Sequence, residues 1–193
     1  MRKYFLIVLI MVTVLPQTQA QLQRHGFNIS AGIFSSNFLD AVSNDIFIDQ
    51  QLDGPLTKDI ETQTGAIFFT YRYFPSGKIS LGWTAGIERF IGDIQINASN
   101  EGRFYNDYYT GGFEIDYRYV VKRRLQVYSG AAVGVTYRDE KNEMPFYSES
   151  NQDILLAYHF NAAGIRFGGL FGAFIEAGFG YKGFLKFGLN LQL

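Results

Sequence analysis

The feature that most constrains this chain is a strict two-residue alternation of apolar and polar side chains. It is clearest at 186–193, where Phe187, Leu189, Leu191 and Leu193 share one side and Lys186, Gly188, Asn190 and Gln192 the other. Period-two alternation marks a strand whose two faces meet different surroundings. An apolar residue closing a fully patterned strand at the chain end is unusual for a soluble domain, whose termini fray in water.

The same pattern recurs along the chain. A first strand covers 26–34, with Phe27, Ile29, Ala31 and Ile33 on one face. A second covers 66–74, and Pro75-Ser76-Gly77-Lys78 turns it into a third with Ile79, Leu81, Trp83, Ala85 and Ile87 in phase. A fourth runs from about 105 to 120, followed by the basic turn Val121-Lys122-Arg123-Arg124 and a fifth strand from Leu125. A sixth covers 154–167, and its apolar phase slips near Ala162–Gly164, as a bulge would cause. Gly168–Gly172 turns into a seventh strand at 173–180, and Tyr181-Lys182-Gly183 leads to the last. Polar segments at 35–63, 92–103 and 138–152 read as larger loops on the side opposite the tight turns. Within the first, Phe38, Leu39, Val42 and Ile46 have helical spacing behind a cap at Ser36 or Asn37, the pattern of a short helix. Eight strands with tight turns at one end and larger loops at the other predict an all-β fold: an eight-stranded antiparallel up-and-down transmembrane β-barrel.

Alternation alone does not separate a membrane barrel from a soluble one, so the composition of the two faces matters. The polar face is rich in glycine: Gly82, Gly86, Gly112, Gly130, Gly134, Gly178, Gly180 and Gly188. Glycine gains nothing on a wet outer face, but small residues let a narrow barrel lumen fill. The other face is Phe, Tyr, Trp, Leu, Ile and Val, which suits lipid. The start of the chain fits export. Arg2 and Lys3 precede an apolar run from Phe5 to Leu15 and a small-x-small site at Thr18-Gln19-Ala20, so 1–20 reads as a signal peptide and 21–193 as the barrel domain. The run is too short for a spanning helix, and no later stretch is apolar for 18 residues. There is no cysteine, which excludes disulfides and thiolate metal sites, and the net charge of −1 gives no footprint for nucleic acid.

The polar-x-Gly-x-x-apolar-x-apolar ending, through Lys186, Gly188, Leu191 and Leu193, resembles the terminal assembly signal of bacterial outer-membrane barrels, although the usual last residue there is aromatic. With Ala177-Gly178-Phe179-Gly180-Tyr181-Lys182-Gly183 before it, the chain is similar to the small outer-membrane β-barrel family of Bacteroidota type, OmpA-like or PorT-like, with eight strands. The resemblance implies the outer membrane as location, and outer-membrane lipid and the barrel-insertion machinery as partners. It specifies architecture rather than activity and leaves any surface partner unknown.

Seven charged residues fall on the predicted inward face: Arg72, Glu88, Glu114, Asp116, Arg118, Glu176 and Lys186. Lone charges in a narrow lumen are costly, so opposite signs should pair into a structural network. Glu114 and Asp116, two apart on one face, have the spacing to be weighed as a catalytic carboxylate pair, but Arg118 beside them favours pairing. His159 next to Asn161 is the one strand histidine that could serve as a base, and no nucleophile motif accompanies it. The acidic segment 35–63 lacks the spacing of a Ca²⁺ loop. The expectation is a non-enzymatic barrel without cofactor or metal, structural or engaged in surface contact. A narrow channel for small solutes and a lipid-modifying hydrolase are the alternatives.

Overall fold

The computed structural model describes residues 24–41, 56–96, 99–144 and 147–193. The signal peptide expected at 1–20 lies outside them, as do Val42 and Ile46. The described strands are β1 (His25–Ile33), β2 (Leu56–Gln63), β3 (Ala66–Tyr73), β4 (Ile79–Ile96), β5 (Ser99–Val121), β6 (Leu125–Met144), β7 (Tyr147–Gly168), β8 (Phe171–Gly180) and β9 (Leu185–Gln192). Eight of them close a ring in the order β1-β3-β4-β5-β6-β7-β8-β9, with every pairing antiparallel. The seam joins the first strand to the last, from Gly26 opposite Gln192 to Ile33 opposite Leu185. His25 N–H donates to the Leu193 carbonyl at 2.9 Å and Leu193 N–H to the His25 carbonyl at 2.7 Å, so the ring has no open edge there.

The alternation sorts the side chains as the pleat dictates, but with the usual preference inverted. Trp83, Leu156, Phe160, Phe187 and Leu189 lie exposed on the outside, while Arg72, Glu114, Glu176 and Lys186 are buried within. The slip near Ala162–Gly164 is a bulge: the register of β7 shifts between Asn161 and Ala163 against β8. The inward glycines are set by close approach. A Cβ on Gly134 would lie 2.1 Å from the Gly111 carbonyl oxygen, and one on Gly130 would lie 2.1 Å from Oδ1 of Asp116.

The three large loops of the sequence reading are corrected. Segments 92–103 and 138–152 are mostly strand: β4 and β5 form one long hairpin, and β6 and β7 another. Within 35–63 lie a helix at 36–41 and the whole of β2, which pairs with the upper part of β4 and carries on the line of β3 across Thr64 and Gly65. Gly65 takes φ 72° at that joint. The helix begins one residue earlier than the cap expected at Ser36 or Asn37: Phe38 N–H donates to Ser35 Oγ at 3.0 Å, so Ser35 is the cap.

The upper parts of these strands were missed because the alternation changes sense. Within the apolar band, apolar residues point out and polar ones in. Above it, Arg89, Asp93, Arg103 and Asp107 lie on the outer side, while Phe90, Ile94, Phe104 and Tyr108 are buried inside. They form a second small core with Ala41, against which Phe38 and Ile60 pack. A search for outward apolar rows reads this as loop. At about 3.4 Å per residue and a tilt near 40°, the ten residues of β5 below Tyr109 in number project on the order of 25 Å beyond the band.

Candidate functional site in the barrel lumen

The centre of the lumen is an ion network built by four strands and one turn. Arg72, pointing inward from β3, donates Nε–H to Glu114 of β5 at 2.9 Å and lies 3.2 Å from Asp116 of the same strand. Its Nη2 reaches Glu176 of β8 at 3.4 Å. Lys186 of β9 pairs with the other oxygen of Glu176. Lys182, in the turn between β8 and β9, pairs with Glu114 and is fully buried. Neutral donors complete the shell: Tyr128 donates to Glu176 at 2.7 Å and Ser80 to Asp116 at 2.9 Å. Three carboxylates thus face three cations in one closed group. This is the arrangement that makes buried charge tolerable, since each lone ion would cost several kcal/mol.

Five of the seven inward charges singled out in the sequence meet here: Arg72, Glu114, Asp116, Glu176 and Lys186. Two do not join them. Glu88 sits near the upper mouth, where its carboxylate accepts from Ser35 at 2.6 Å, Asn37 at 3.2 Å and Gln63 at 3.4 Å. It therefore fastens the helix at 36–41 rather than the network. Arg118 lies toward the lower end, with its guanidinium 4.2 Å from the centre of the Phe74 ring and Nη2 donating to the Ser76 carbonyl at 3.1 Å. Lys182 was missed because a lysine next to a glycine in a turn reads as exposed. Here the turn folds into the lumen: Tyr181, Lys182 and Gly183 are all buried, and Phe184 N–H bonds the Ile33 carbonyl at 2.8 Å.

The rest of the lumen is filled in layers. Above the network, Ala66, Phe68, Ala132, Ala157 and Tyr181 pack together. Below it, Arg166 donates to the carbonyls of Gly168 and Gly169 at 3.1 and 2.6 Å and also bonds Asn190. Gln126 and Gln192 bond each other at 2.9 Å. At the mouth Arg138 ties the helix to the wall through Asp40 at 2.9 Å and through Asp153.

The catalytic arrangements weighed in the sequence are not assembled by these contacts. Glu114 and Asp116 are each engaged by Arg72. His159 lies beside the Tyr181 ring at 5.8 Å, and neither of its ring nitrogens has a hydrogen-bond partner. A base without a nucleophile or an orienting acid lacks the geometry of a triad. Among the described residues no group of three or more His, Cys, Asp or Glu is placed to hold a metal. Of the expected assembly signal, Lys186 is a network member, Gly188 passes under the Phe174 ring, and Leu191 and Leu193 belong to the outward row of the seam strand.

No family model and no curated protein sequence matches this chain. Among the solved structures that align with it are Ail, the attachment invasion locus protein of Yersinia pestis, at a TM-score of 0.48 and 14% identity, and Ail in complex with the heparin analogue sucrose octasulfate, at 0.47 and 13%. Both alignments cover 88% of this chain and 93% of Ail. The likeness is one of outline.

Proposed function

We propose that this chain is an integral barrel of the bacterial outer membrane, exported through its N-terminal segment, non-enzymatic, and serving a structural or surface-contact role. The observation that carries this is the inverted burial: charged residues are enclosed and a continuous belt of large apolar side chains is exposed. An apolar surface of that extent would drive association in water and is at rest in lipid. The tight turns then face the periplasm and the long hairpins the outside. The contact surface is the projecting sheet of β2 and the upper parts of β4 to β7. Its β7 edge below residue 159 has no β8 partner, since that pairing begins at His159. Among the described residues no strand pairs with that side of 147–157, and backbone donors and acceptors on such an edge suit an extended segment of another protein. Lys186, Gly188, Leu191 and Leu193 act in insertion, as the strand that completes the ring.

The test is migration on a gel. The mature chain from a membrane fraction should run faster unheated than boiled, because a hydrogen-bonded barrel resists detergent. A chain that stays in solution without detergent, and whose mobility heat does not change, would sink the reading.

A narrow channel is the second reading, and the filled lumen counts against it. In planar bilayers the protein is expected to show no steady open state at neutral pH. A reproducible single-channel step from the purified chain would favour the channel.

A further inference from the structure

The two ends of the barrel differ in how their cations are used. At the end of the long hairpins, Arg89, Arg103, Arg138 and Lys141 all stand in ion pairs, with Asp107, with Glu61 and Asp93, with Asp40 and Asp153, and with Asp139. At the end of the tight turns, Arg24, Lys78, Lys122, Arg123 and Arg124 are exposed and form no ion pair within the described chain. The turns at 74–78, 122–124 and 169–170 contain no Asp or Glu, and the acids nearest in sequence, Asp116 and Glu176, point inward and are engaged.

These cations form an arc at a defined level. Phe74 N–H bonds the Arg24 carbonyl, Arg118 N–H bonds the Lys78 carbonyl at 2.7 Å, and Gly168 N–H bonds the Arg124 carbonyl, so neighbouring turns carry the charges side by side around the rim. Each cationic stretch adjoins the apolar band: Lys78 precedes Ile79, Lys122 follows Val121, and Arg124 precedes Leu125. Tyr73, Tyr117 and Tyr119 are exposed on the outer face just above. Tyrosine with Lys or Arg one step beyond it is the composition of a membrane interface.

We propose that this arc binds the anionic headgroups of phospholipids in the leaflet at the tight-turn end, and so fixes that end in the interface. The inference rests on the membrane reading above. A lipid headgroup is the occupant because the charges sit at headgroup depth beside interfacial tyrosines and lack acids of their own. The turns are also too short to present a separate protein-sized surface. One basic side chain near an anionic surface corresponds to roughly a fivefold preference.

The experiment is lipid selectivity in phosphatidylcholine bilayers holding the full chain and a trace of spin-labelled phosphatidylglycerol or spin-labelled phosphatidylcholine. The motionally restricted fraction should be about fivefold richer in phosphatidylglycerol. The preference should fall at least by half in the triple variant Lys122→Gln, Arg123→Gln, Arg124→Gln, whose side chains bond nothing in the barrel. It should persist in Lys141→Gln at the other end. Equal fractions for the two lipids, or an unchanged preference in the triple variant, overturns the proposal while leaving the barrel in the bilayer. A restricted fraction for neither lipid removes the membrane reading itself.

Discussion

Replacing Glu114 with alanine is expected to destabilise the folded barrel by about 3–5 kcal/mol, the cost of leaving a buried charge without its partner. Lys182 would lose its carboxylate, and Arg72 would keep only Asp116 and Glu176. The chain has one tryptophan, Trp83, exposed on the outer face, so its emission in detergent micelles reports unfolding directly. The urea midpoint of that signal, followed beside the heat-shifted gel band, gives the loss. Combining Glu114→Gln with Lys182→Met should recover most of it, to within about 1 kcal/mol, because a buried pair exchanged for neutral groups of similar volume is often tolerated. If the double variant were as unstable as Glu114→Ala, the pairing of Lys182 with Glu114 would not be the interaction that matters.

The second large effect is expected at Gly32→Ala. A Cβ there would lie 1.8 Å from the Lys182 carbonyl oxygen, at the place where the turn between β8 and β9 tucks against the end of β1. Backbone cannot move aside as a flexible side chain can, so the seam must open or the turn must leave the lumen. Unheated samples should show little or none of the fast-migrating form. Gly111→Ala is the matched control, since its Cβ points outward and meets nothing within 4 Å. That change should leave migration intact and add about 0.5–1 kcal/mol, the usual gain over glycine within a strand. Equal behaviour of the two variants would mean that close approach at the seam is not what Gly32 provides.

The barrel itself was legible because one physical rule, alternation between an apolar outer face and a packed lumen, governs it from β1 to β9. Even the bulge near Ala162–Gly164 left a mark, as a change of phase. Beyond the band the rule reverses. In Arg89-Phe90-Ile91-Gly92-Asp93-Ile94 the large apolar residues Phe90 and Ile94 point inward and the charged Arg89 and Asp93 outward, with Ile91 alone of the apolar residues on the outer side, so no outward apolar row marks the strand. β2 was hidden for a related reason: Leu56–Gln63 is polar, and its strand state comes from pairing with β4 rather than from its own pattern. The charge network was legible only in its strand members. Periodicity says which way a strand residue points, whereas a turn has no period, and nothing local announces that Lys182 reaches across the lumen to β5. Glu88 and Arg118 show the converse limit, since inward direction fixes a face but not the height at which a side chain finds its partners.

The chain position of the network's members has a consequence for the order of assembly. Up to β7 the chain supplies Arg72 against Glu114 and Asp116, one negative charge in excess. The closing hairpin supplies Lys182 and Lys186 against Glu176, one positive charge in excess. The segment that shuts the ring is therefore also the one that brings this central network to neutrality. A chain interrupted before that hairpin can neither seal its edge nor quench its charge, and a ring closed early around the gap would trap an ion without a counterpart. Completion is thus checked twice by the same twenty-odd residues, by hydrogen bonding at the rim and by electrostatics at the centre. Incomplete copies are held back from the closed form by the very chemistry that makes the finished one stable.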